Sequence, residues 1–252
     1  MHAMNGKIVL VTGGGTGIGK ATALAFAQAG ATVVIASRTQ ATGEAVAAQI
    51  RSQGGVATWV ATDVTQSAAV EALVQGIVAQ HGRLDYAFNN AGSGGRGGWL
   101  AAVGEADWDQ TIDGYLKSVF LCMKFEIQAM LAQGGGAIVN NSSVDGKRAF
   151  PWDPVYSAAK HGVLGLTKSA AVQYAAQAIR INAVCPGWIL TPPTEDAIAR
   201  DPQAEGFMLQ HQPIGRLGRA DEVAQAVLWL CSDAASLVTG TALDVDGGYL
   251  AV

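Results

Sequence analysis

The stretch Thr12-Gly13-Gly14-Gly15-Thr16-Gly17-Ile18-Gly19 directly follows the apolar run Ile8-Val9-Leu10-Val11. Glycines at the end of a strand permit a tight turn, let the backbone approach a pyrophosphate, and let the next helix lie close to the sheet. A helix predicted over residues 17–29 would point its first N–H groups at the phosphates. A plain tight turn uses the same residues, but this position favours a dinucleotide site. Its candidate contacts are Gly13, Gly15, Thr16, Gly17, Ile18 and Gly19.

Short β-branched runs alternate with longer alanine-rich segments of helical period along all 252 residues. Strands that are apolar throughout indicate a parallel sheet covered by helices on both faces. The sequence therefore predicts one α/β domain over residues 1–252, with a Rossmann-type, doubly wound sheet of seven parallel strands and ligands beyond their carboxyl ends. The predicted strands are 8–11, 32–36, 56–61, 85–89, 137–140, 180–184 and 242–245. Segment 187–215 contains four prolines and is predicted to be an irregular, mobile flap.

Composition narrows the class of protein. The net charge is −4 and the charged residues, 14% of the chain, form no basic cluster, so we expect a small-molecule ligand and no nucleic-acid partner. No apolar run reaches the roughly 20 residues that span a membrane, and residues 1–7 are too short for a secretion signal. We therefore expect a cytoplasmic protein without a membrane partner. The three widely spaced cysteines indicate neither a disulfide framework nor a metal site.

The second predicted strand leads into Ser37-Arg38, about 20 residues after the glycines, where NAD-binding folds carry an acidic residue. A carboxylate there would repel a 2′-phosphate, whereas a serine hydroxyl can donate to it and a guanidinium can pair with it bidentately. NADP(H) is therefore favoured as cofactor and NAD(H) stays possible; the alternative for Arg38 is a solvated surface side chain. Asp63 and Val64 follow the third strand, where a carboxylate could accept from an adenine amino group or cap a helix.

Tyr156 and Lys160 are four residues apart, about one helical turn, so both side chains project from one helix face. A phenol has a pKa of about 10, and a nearby positive charge would help it to exchange protons near neutrality by stabilising the phenolate. The predicted strand 137–140 delivers Ser142 and Ser143 at its carboxyl end, where a hydroxyl can stabilise a developing oxyanion. Together these side chains indicate acid/base chemistry at a carbonyl.

These motifs occur in one order along the chain: the glycine turn, Asn89-Asn90-Ala91-Gly92, Ser143, Tyr156-Ser157-Ala158-Ala159-Lys160, Pro186-Gly187 and Asp246-Gly247-Gly248. In this combination the chain resembles the short-chain dehydrogenase/reductases over nearly its whole length. The resemblance implies that Tyr156 is the acid/base, that Ser143 orients the substrate oxygen, and that Lys160 binds the nicotinamide ribose and lowers the pKa of the tyrosine. Ser142 is then structural. The implied cofactor contacts also include Asn90, Ala91, Gly92, Pro186, Gly187, Ile189 and Thr191.

One position departs from the family pattern. Tyr115 stands where the family usually has an asparagine that fixes a helix distortion and holds a water on the proton route to the lysine. A tyrosine is larger, so the route must be rearranged, carried by the Tyr115 hydroxyl, or replaced. Tyr115 is therefore a candidate catalytic residue, with packing or a pocket wall as the alternative.

The resemblance implies an NADP(H)-dependent oxidoreductase that interconverts a secondary alcohol and a ketone, with a small carbonyl or alcohol substrate. Three alternatives stay open: a non-catalytic sensor or scaffold that binds NADP(H), an NAD-dependent alcohol dehydrogenase of the same family, and an enoyl reductase. The four-residue spacing of the tyrosine and lysine favours carbonyl chemistry over reduction of a C=C bond. A homo-oligomer, tetramer or dimer, is also implied.

Overall fold

Nine strands occur among residues 4–252, which the computed structural model describes. They are β1 Ile8–Thr12, β2 Thr32–Ser37, β3 Val56–Ala61, β4 Tyr86–Asn89, β5 Gly136–Asn141, β6 Ile179–Pro186, β7 Ile189–Leu190, β8 Gly218–Arg219 and β9 Ala242–Val245. Seven of them form one parallel sheet in the order β3-β2-β1-β4-β5-β6-β9, and β7 pairs with β8 in a separate sheet. The predicted single-domain α/β fold with seven parallel strands is confirmed.

The helices cover both faces of the sheet. They are α1 Gly17–Gln28, α2 Gln40–Ser52, α3 Ser67–His81, α4 Glu105–Ile112, α5 Ser118–Gln133, α6 Pro154–Tyr174, α7 Pro192–Arg200, α8 Ala204–Gln210 and α9 Ala220–Cys231. Along β1, Val9 and Val11 belong to the core under α1 and α9, whereas Ile8 and Leu10 belong to the core under α3 and α5. This two-sided burial explains why the strands are apolar throughout. No helix within residues 4–252 is long and apolar enough to cross a membrane.

The segment 187–215 is more regular than the sequence suggests. It contains β7, α7 and α8, so the prediction of an irregular stretch is wrong. Pro192 and Pro193 lie in the first turn of α7, where the N–H that proline lacks has no helical partner to bond. Two of its prolines therefore start a helix instead of breaking one. Its mobility stays a prediction.

A buried polar network crosses the middle of the sheet. Asn89 Nδ2 donates to Glu126 Oε2 (2.9 Å) and to Asn140 Oδ1 (3.0 Å), and Asn140 Nδ2 donates to Thr167 Oγ1 (2.9 Å). The network joins β4 and β5 to α5 and α6 below the edge where the sequence places the ligands. Burial raises the pKa of Glu126 to about 8, although the hydrogen bond from Asn89 acts in the opposite direction. The Glu126 side chain is therefore held mainly as the neutral acid at pH 7.

Replacing Glu126 with glutamine is expected to stabilise the protein at alkaline pH. Because the folded-state pKa is raised, the contribution of Glu126 is complete below its ordinary pKa of about 4.5 and is lost as the pH rises through about 8. Glutamine stays neutral, so Glu126→Gln should raise the free energy of unfolding at pH 8.5 by about 1 to 3 kcal/mol and change it little at pH 4.5. Denaturant unfolding at both pH values measures this. The exposed Glu71→Gln on α3 is the control, and an equal difference at both pH values would contradict the prediction.

Candidate active site

The loops after β1, β4 and β5 meet at one edge of the sheet because the strands are parallel. Thr12 Oγ1 accepts hydrogen bonds from the N–H groups of Asn90 (2.9 Å) and Ala91 (3.1 Å), which ties the loop after β4 to the end of β1. Asn141 Nδ2 at the end of β5 donates to Asn90 Oδ1 (3.0 Å). The predicted cofactor contacts in the glycine turn and in Asn90, Ala91 and Gly92 therefore form one continuous surface.

The glycine turn packs too closely for larger residues. Gly13 has φ +66°, and a Cβ on it would lie 2.9 Å from Ala91 Cα. Gly15 approaches α2, where a Cβ would lie 2.8 Å from Thr42 Oγ1. The turn ends at Thr16, directly before α1, so the free N–H groups of Gly17, Ile18 and Gly19 lie at the helix start. This cradle fits the pyrophosphate of a dinucleotide, with Gly13, Gly15 and the first turn of α1 as the residues that would hold it.

The end of β2 supplies a hydrogen-bond donor and a positive charge. Ser37 Oγ accepts a hydrogen bond from Trp59 Nε1 (2.9 Å), so its own O–H is free to donate. The side chain of Arg38 is exposed, and both residues line the same cleft of about 240 Å³ as Gly13, Gly15 and Thr16. The cleft can therefore present a hydroxyl and a guanidinium to an anionic group.

Asp63 also lines this cleft. Its Oδ1 accepts from the N–H (3.0 Å) and the hydroxyl (2.8 Å) of Thr65, and the Thr65 N–H, followed by smaller effects that include the charge of Arg38, keeps the pKa of Asp63 below its usual range. The alternative that Asp63 caps a helix is wrong, because α3 begins only at Ser67 and its first flanking residue is Gln66. Both hydrogen bonds from Thr65 go to Oδ1, and Asp63 lines the cleft. Val64 beside it is buried and lines the same cleft.

The chain after β6 returns to the glycine turn. Gly17 has φ +53°, and a Cβ on it would lie 3.3 Å from Thr191 Cγ2, so Thr191 contacts the start of α1. Pro186 ends β6, and Gly187 leaves no room for a Cβ, which would lie 2.7 Å from Gln212 Oε1. Ile189 is buried in β7. Of these predicted contacts, Thr191 is thus placed against the glycine turn.

Ser143, Tyr156 and Lys160 converge beside this cleft. Asp153 caps α6 by accepting from the N–H of Tyr156 (3.0 Å), which places the tyrosine in the first turn. Lys160 is buried, and its Nζ donates to the backbone carbonyl of Asn141 (2.7 Å) and lies 5.5 Å from the centre of the Tyr156 ring. Ser142 Oγ donates to the Lys160 carbonyl (3.0 Å), as expected of a structural serine.

The pKa values in this group differ from the sequence-based expectation. Burial, followed by the neighbouring Tyr115, raises the pKa of Tyr156 above its usual value, and Ser143 only partly offsets this effect. Burial also lowers the pKa of Lys160 to about 8. The Lys160 ammonium is held on the Asn141 carbonyl, and its lowering of the tyrosine pKa stays a prediction. Tyr156 is a proton donor across the neutral range.

Tyr115 lies in a π-helical turn, Asp113–Lys117, between α4 and α5. Its ring contacts Tyr156 edge-on, with 4.9 Å between centroids, and Lys160 Nζ lies 4.9 Å from its centre. A Cβ on Gly92 would lie 2.5 Å from this ring, so the loop after β4 accommodates the tyrosine only through its glycine. Burial raises the pKa of Tyr115. The distortion therefore exists without the asparagine, and the ring covers the lysine as a cation–π partner.

The Tyr115 ring is expected to matter more than its hydroxyl. Tyr115→Phe keeps the contacts with Tyr156 and Lys160, so kcat for ketone reduction should stay within about threefold of wild type. Tyr115→Ala removes the ring and should lower kcat about tenfold or more, since loss of a cation–π contact costs about 1 to 2 kcal/mol. Steady-state kinetics on both variants, with circular dichroism as the folding control, measures this. Equal losses in the two variants would instead assign the effect to the hydroxyl.

Aromatic side chains from three separate parts of the chain pack against one another and form one surface, here called the aromatic wall. Its ring pairs are Phe150 with Trp188 (6.1 Å), Trp152 with Phe207 (5.5 Å) and His211 with Tyr249 (6.4 Å). The members come from the loop before α6, from the segment after β6 and from the carboxyl terminus. Spacing along the chain could not have shown this, because long-range contacts alone bring the rings together.

The sequence is similar to those of several dehydrogenases over nearly its full length. It is 43% identical over 253 residues to 2,5-dichloro-2,5-cyclohexadiene-1,4-diol dehydrogenase from Sphingobium indicum, with both chains completely covered. It is 44% identical to cyclohexanol dehydrogenase from an Acinetobacter species (98% of this chain and 96% of that one). It is 45% identical to cis-4-hydroxycyclohexanecarboxylate dehydrogenase from Sinomonas cyclohexanicum (98% and 97%).

Structural comparison agrees. The crystal structure of levodione reductase superposes with a TM-score of 0.94 at 38% identity, covering 98% of this chain and 99% of that one. A structure from Agrobacterium tumefaciens with bound NADP has a TM-score of 0.90 at 36% identity, covering 99% and 98%. A family model described as enoyl-(acyl carrier protein) reductase matches residues 13–250. The protein therefore belongs to the short-chain dehydrogenase/reductase family, whose fold and chain length it shares throughout.

Proposed function

We propose that the protein is an NADP(H)-dependent oxidoreductase that interconverts a secondary alcohol and a ketone. The observation that carries this proposal is the convergence of Ser143, Tyr156 and Lys160 beside a cleft that fits a dinucleotide. When bound, the reduced dinucleotide would supply the hydride that reaches the carbonyl carbon. The relatives named above act, by their names, on hydroxyl groups, which supports the same reaction class.

In the direction of reduction, Tyr156 donates its hydroxyl proton to the carbonyl oxygen as that oxygen gains negative charge. Ser143 Oγ–H donates a hydrogen bond to the same oxygen and stabilises the charge. Lys160 keeps an ammonium close to Tyr156, so the phenolate that remains is stabilised until it is reprotonated. Oxidation of the alcohol is the reverse, with the Tyr156 phenolate as the base.

NADP(H) is the proposed cofactor because of the residues at the end of β2. Ser37 has a free O–H, Arg38 is exposed beside it, and neither position carries the carboxylate that would repel a 2′-phosphate. Asp63 lines the same cleft, its Oδ2 accepts no hydrogen bond from Thr65, and it is the proposed acceptor for the adenine amino group. The bound NADP in a similar structure supports this assignment.

The proposed substrates are ring-containing secondary alcohols and their ketones. The aromatic wall around Phe150, Trp152 and Trp188 offers flat apolar surfaces, which bind a carbocycle better than a charged chain. Three relatives are named after compounds that have a six-membered carbon ring and a hydroxyl group. The enoyl reductase in the description of the family model is the second candidate, and it would reduce a C=C bond.

The test follows NADPH and NADH absorbance with purified protein and cyclohexanone, substituted cyclohexanones, linear ketones and cyclohexenone. We expect turnover with cyclic ketones, a preference for NADPH, and cyclohexenol as the product from cyclohexenone. Formation of cyclohexanone from cyclohexenone would instead establish the enoyl reductase. Tight NADPH binding with no turnover on any compound would support the sensor or scaffold.

We also propose that the protein forms a homo-oligomer. Phe120 and Leu131 on α5 and Val172 on α6 are large apolar side chains exposed to solvent, and Val172 is 83% exposed. Exposed apolar side chains on two neighbouring helices are typical of an interface between subunits. Light scattering after size-exclusion chromatography measures the molar mass, and a monomer would contradict this proposal.

A further inference from the structure

The Ser143 hydroxyl has two hydrogen-bond contacts with Asp145, in addition to its interaction with the Tyr156 hydroxyl. Ser143 Oγ accepts from the backbone N–H of Asp145 (3.0 Å), and it lies 3.4 Å from Asp145 Oδ2 as a donor. Both residues belong to the turn that follows β5, where Val144–Gly146 form a single 3₁₀ turn. A hydroxyl has only one proton to donate. The carboxyl group of Asp145 therefore competes with the substrate for that proton.

We infer that Asp145 is a positioning residue that sets whether the Ser143 hydroxyl donates to the substrate carbonyl. This inference rests on the proposed function, in which Ser143 stabilises the carbonyl oxygen. It assigns a role to a carboxyl group that neither carries the hydride nor donates the proton, and whose contact with the reacting group is made through Ser143.

The competition depends on the charge of the carboxyl group. Ionised Asp145 is a strong acceptor, because hydrogen bonds to a charged group are about twice as strong as neutral ones. The ionised carboxylate holds the Ser143 proton, so a lone pair of Ser143 Oγ faces the substrate oxygen. The two oxygen atoms then repel each other. Neutral Asp145 is a weaker acceptor and can itself donate to Oγ. Ser143 is then free to donate to the carbonyl oxygen.

Several charged and titratable groups surround Asp145. Burial raises its pKa to about 6, and the effect is opposed by the hydrogen bond to Ser143 and by the charges of Arg148 and His161, whereas Asp153 adds to it. Tyr156, Lys160 and Tyr249 are also close enough to interact with its charge. Because the folded-state pKa is raised, Asp145 is neutral below about pH 6 and ionises as the pH increases through that value. The ionisation of Asp145 therefore takes place between pH 5 and pH 8, within the usual range of enzyme assays.

The expected result is a fall in kcat/KM for ketone reduction of about tenfold between pH 5 and pH 7, with a midpoint near pH 6. Tyr156 does not cause this fall, because its raised pKa keeps it protonated throughout the range. Titration of Lys160, whose pKa is about 8, belongs to a separate step at higher pH.

Two variants test the assignment by kinetics. Asp145→Asn stays neutral and Asp145→Ala has no competing acceptor, so both should lack the midpoint near pH 6 while keeping the step at higher pH. His161→Gln, which removes an imidazole whose charge acts on the same carboxyl group, should keep the midpoint near pH 6. Retention of that midpoint in both Asp145 variants, or its loss only in His161→Gln, would overturn the inference.

Carbon-13 NMR of protein labelled at the aspartate carboxyl carbons gives a readout that needs no turnover. The Asp145 signal, identified by its absence in Asp145→Asn, should titrate near pH 6 with saturating NADPH. Ser143→Ala removes a hydrogen bond that stabilises the carboxylate, so the midpoint should increase. If the Asp145 midpoint stays the same in Ser143→Ala, the inference is overturned, even when the wild-type enzyme reduces ketones. If the midpoint increases in that variant but the wild-type protein reduces no ketone, only the proposed function is contradicted.

Discussion

Replacing Tyr156 with phenylalanine is expected to lower kcat for ketone reduction about a thousandfold. The proposed acid is then missing, and a positioned general acid contributes about 10² to 10⁴ in rate. The phenyl ring keeps the edge-on contact with Tyr115 and its place in the first turn of α6. The affinity for NADPH, measured by fluorescence titration, should therefore change by no more than about threefold, and the melting temperature should stay close to that of the wild type.

Tyr174→Phe is the matched control for this substitution. Tyr174 is the last residue of the same helix and packs against the core below the sheet edge. The variant Tyr174→Phe loses the same hydroxyl group as Tyr156→Phe, and its kcat should equal that of the wild type. If Tyr156→Phe retained more than a tenth of the wild-type kcat, Tyr156 would not be the acid, and a water or the Tyr115 hydroxyl would have to deliver the proton.

Replacing Arg38 with aspartate is expected to reverse the preference between the two dinucleotides. The substitution removes the guanidinium and puts a carboxylate where the 2′-phosphate would lie, so attraction becomes repulsion. Loss of a charge-assisted hydrogen-bond pair costs about 2 to 4 kcal/mol, and kcat/KM for NADPH should fall about 30- to 1000-fold. The value for NADH should stay equal or increase, because a carboxylate can accept from the 2′-hydroxyl.

Arg38→Ala separates the two effects. It removes the attraction without adding repulsion, so kcat/KM for NADPH should take an intermediate value and that for NADH should hardly change. Competition by 2′-phosphorylated adenosine, measured by calorimetry, gives the same ranking without turnover. A preference for NADPH that survives in Arg38→Asp would show that other residues bind the 2′-phosphate, or that the cofactor proposal is wrong.

The sheet could be predicted from the sequence because its strands are buried on both sides. Runs such as Ile8 to Val11 have no polar position that would leave one face exposed, and this pattern occurs chiefly in parallel sheets. The predicted strands match the observed ones within two residues at either end. The two short strands β7 and β8 were missed, since Ile189–Leu190 and Gly218–Arg219 have no periodicity long enough to detect.

The site could be predicted only where a motif carries the geometry. The spacing of Tyr156 and Lys160 places both on one turn of α6, and the glycine turn follows from the steric needs of the loop. The hydrogen bond from Lys160 to the Asn141 carbonyl and the cover that Tyr115 provides arise between elements that are distant in sequence. No local pattern encodes these contacts, because they depend on how the loops pack after the sheet has formed.

The cap that Asp153 makes on α6 allows the loop before this helix to evolve without displacing the catalytic tyrosine. Since the carboxyl group accepts from the N–H of Tyr156, the tyrosine is positioned by the helix start and not by the loop that precedes it. Residues 147–152 of that loop contribute Phe150 and Trp152 to the aromatic wall. Mutations or insertions there can reshape the wall while the reacting hydroxyl keeps its position. Directed evolution toward new ketones should therefore begin in this loop and leave Asp153 unchanged.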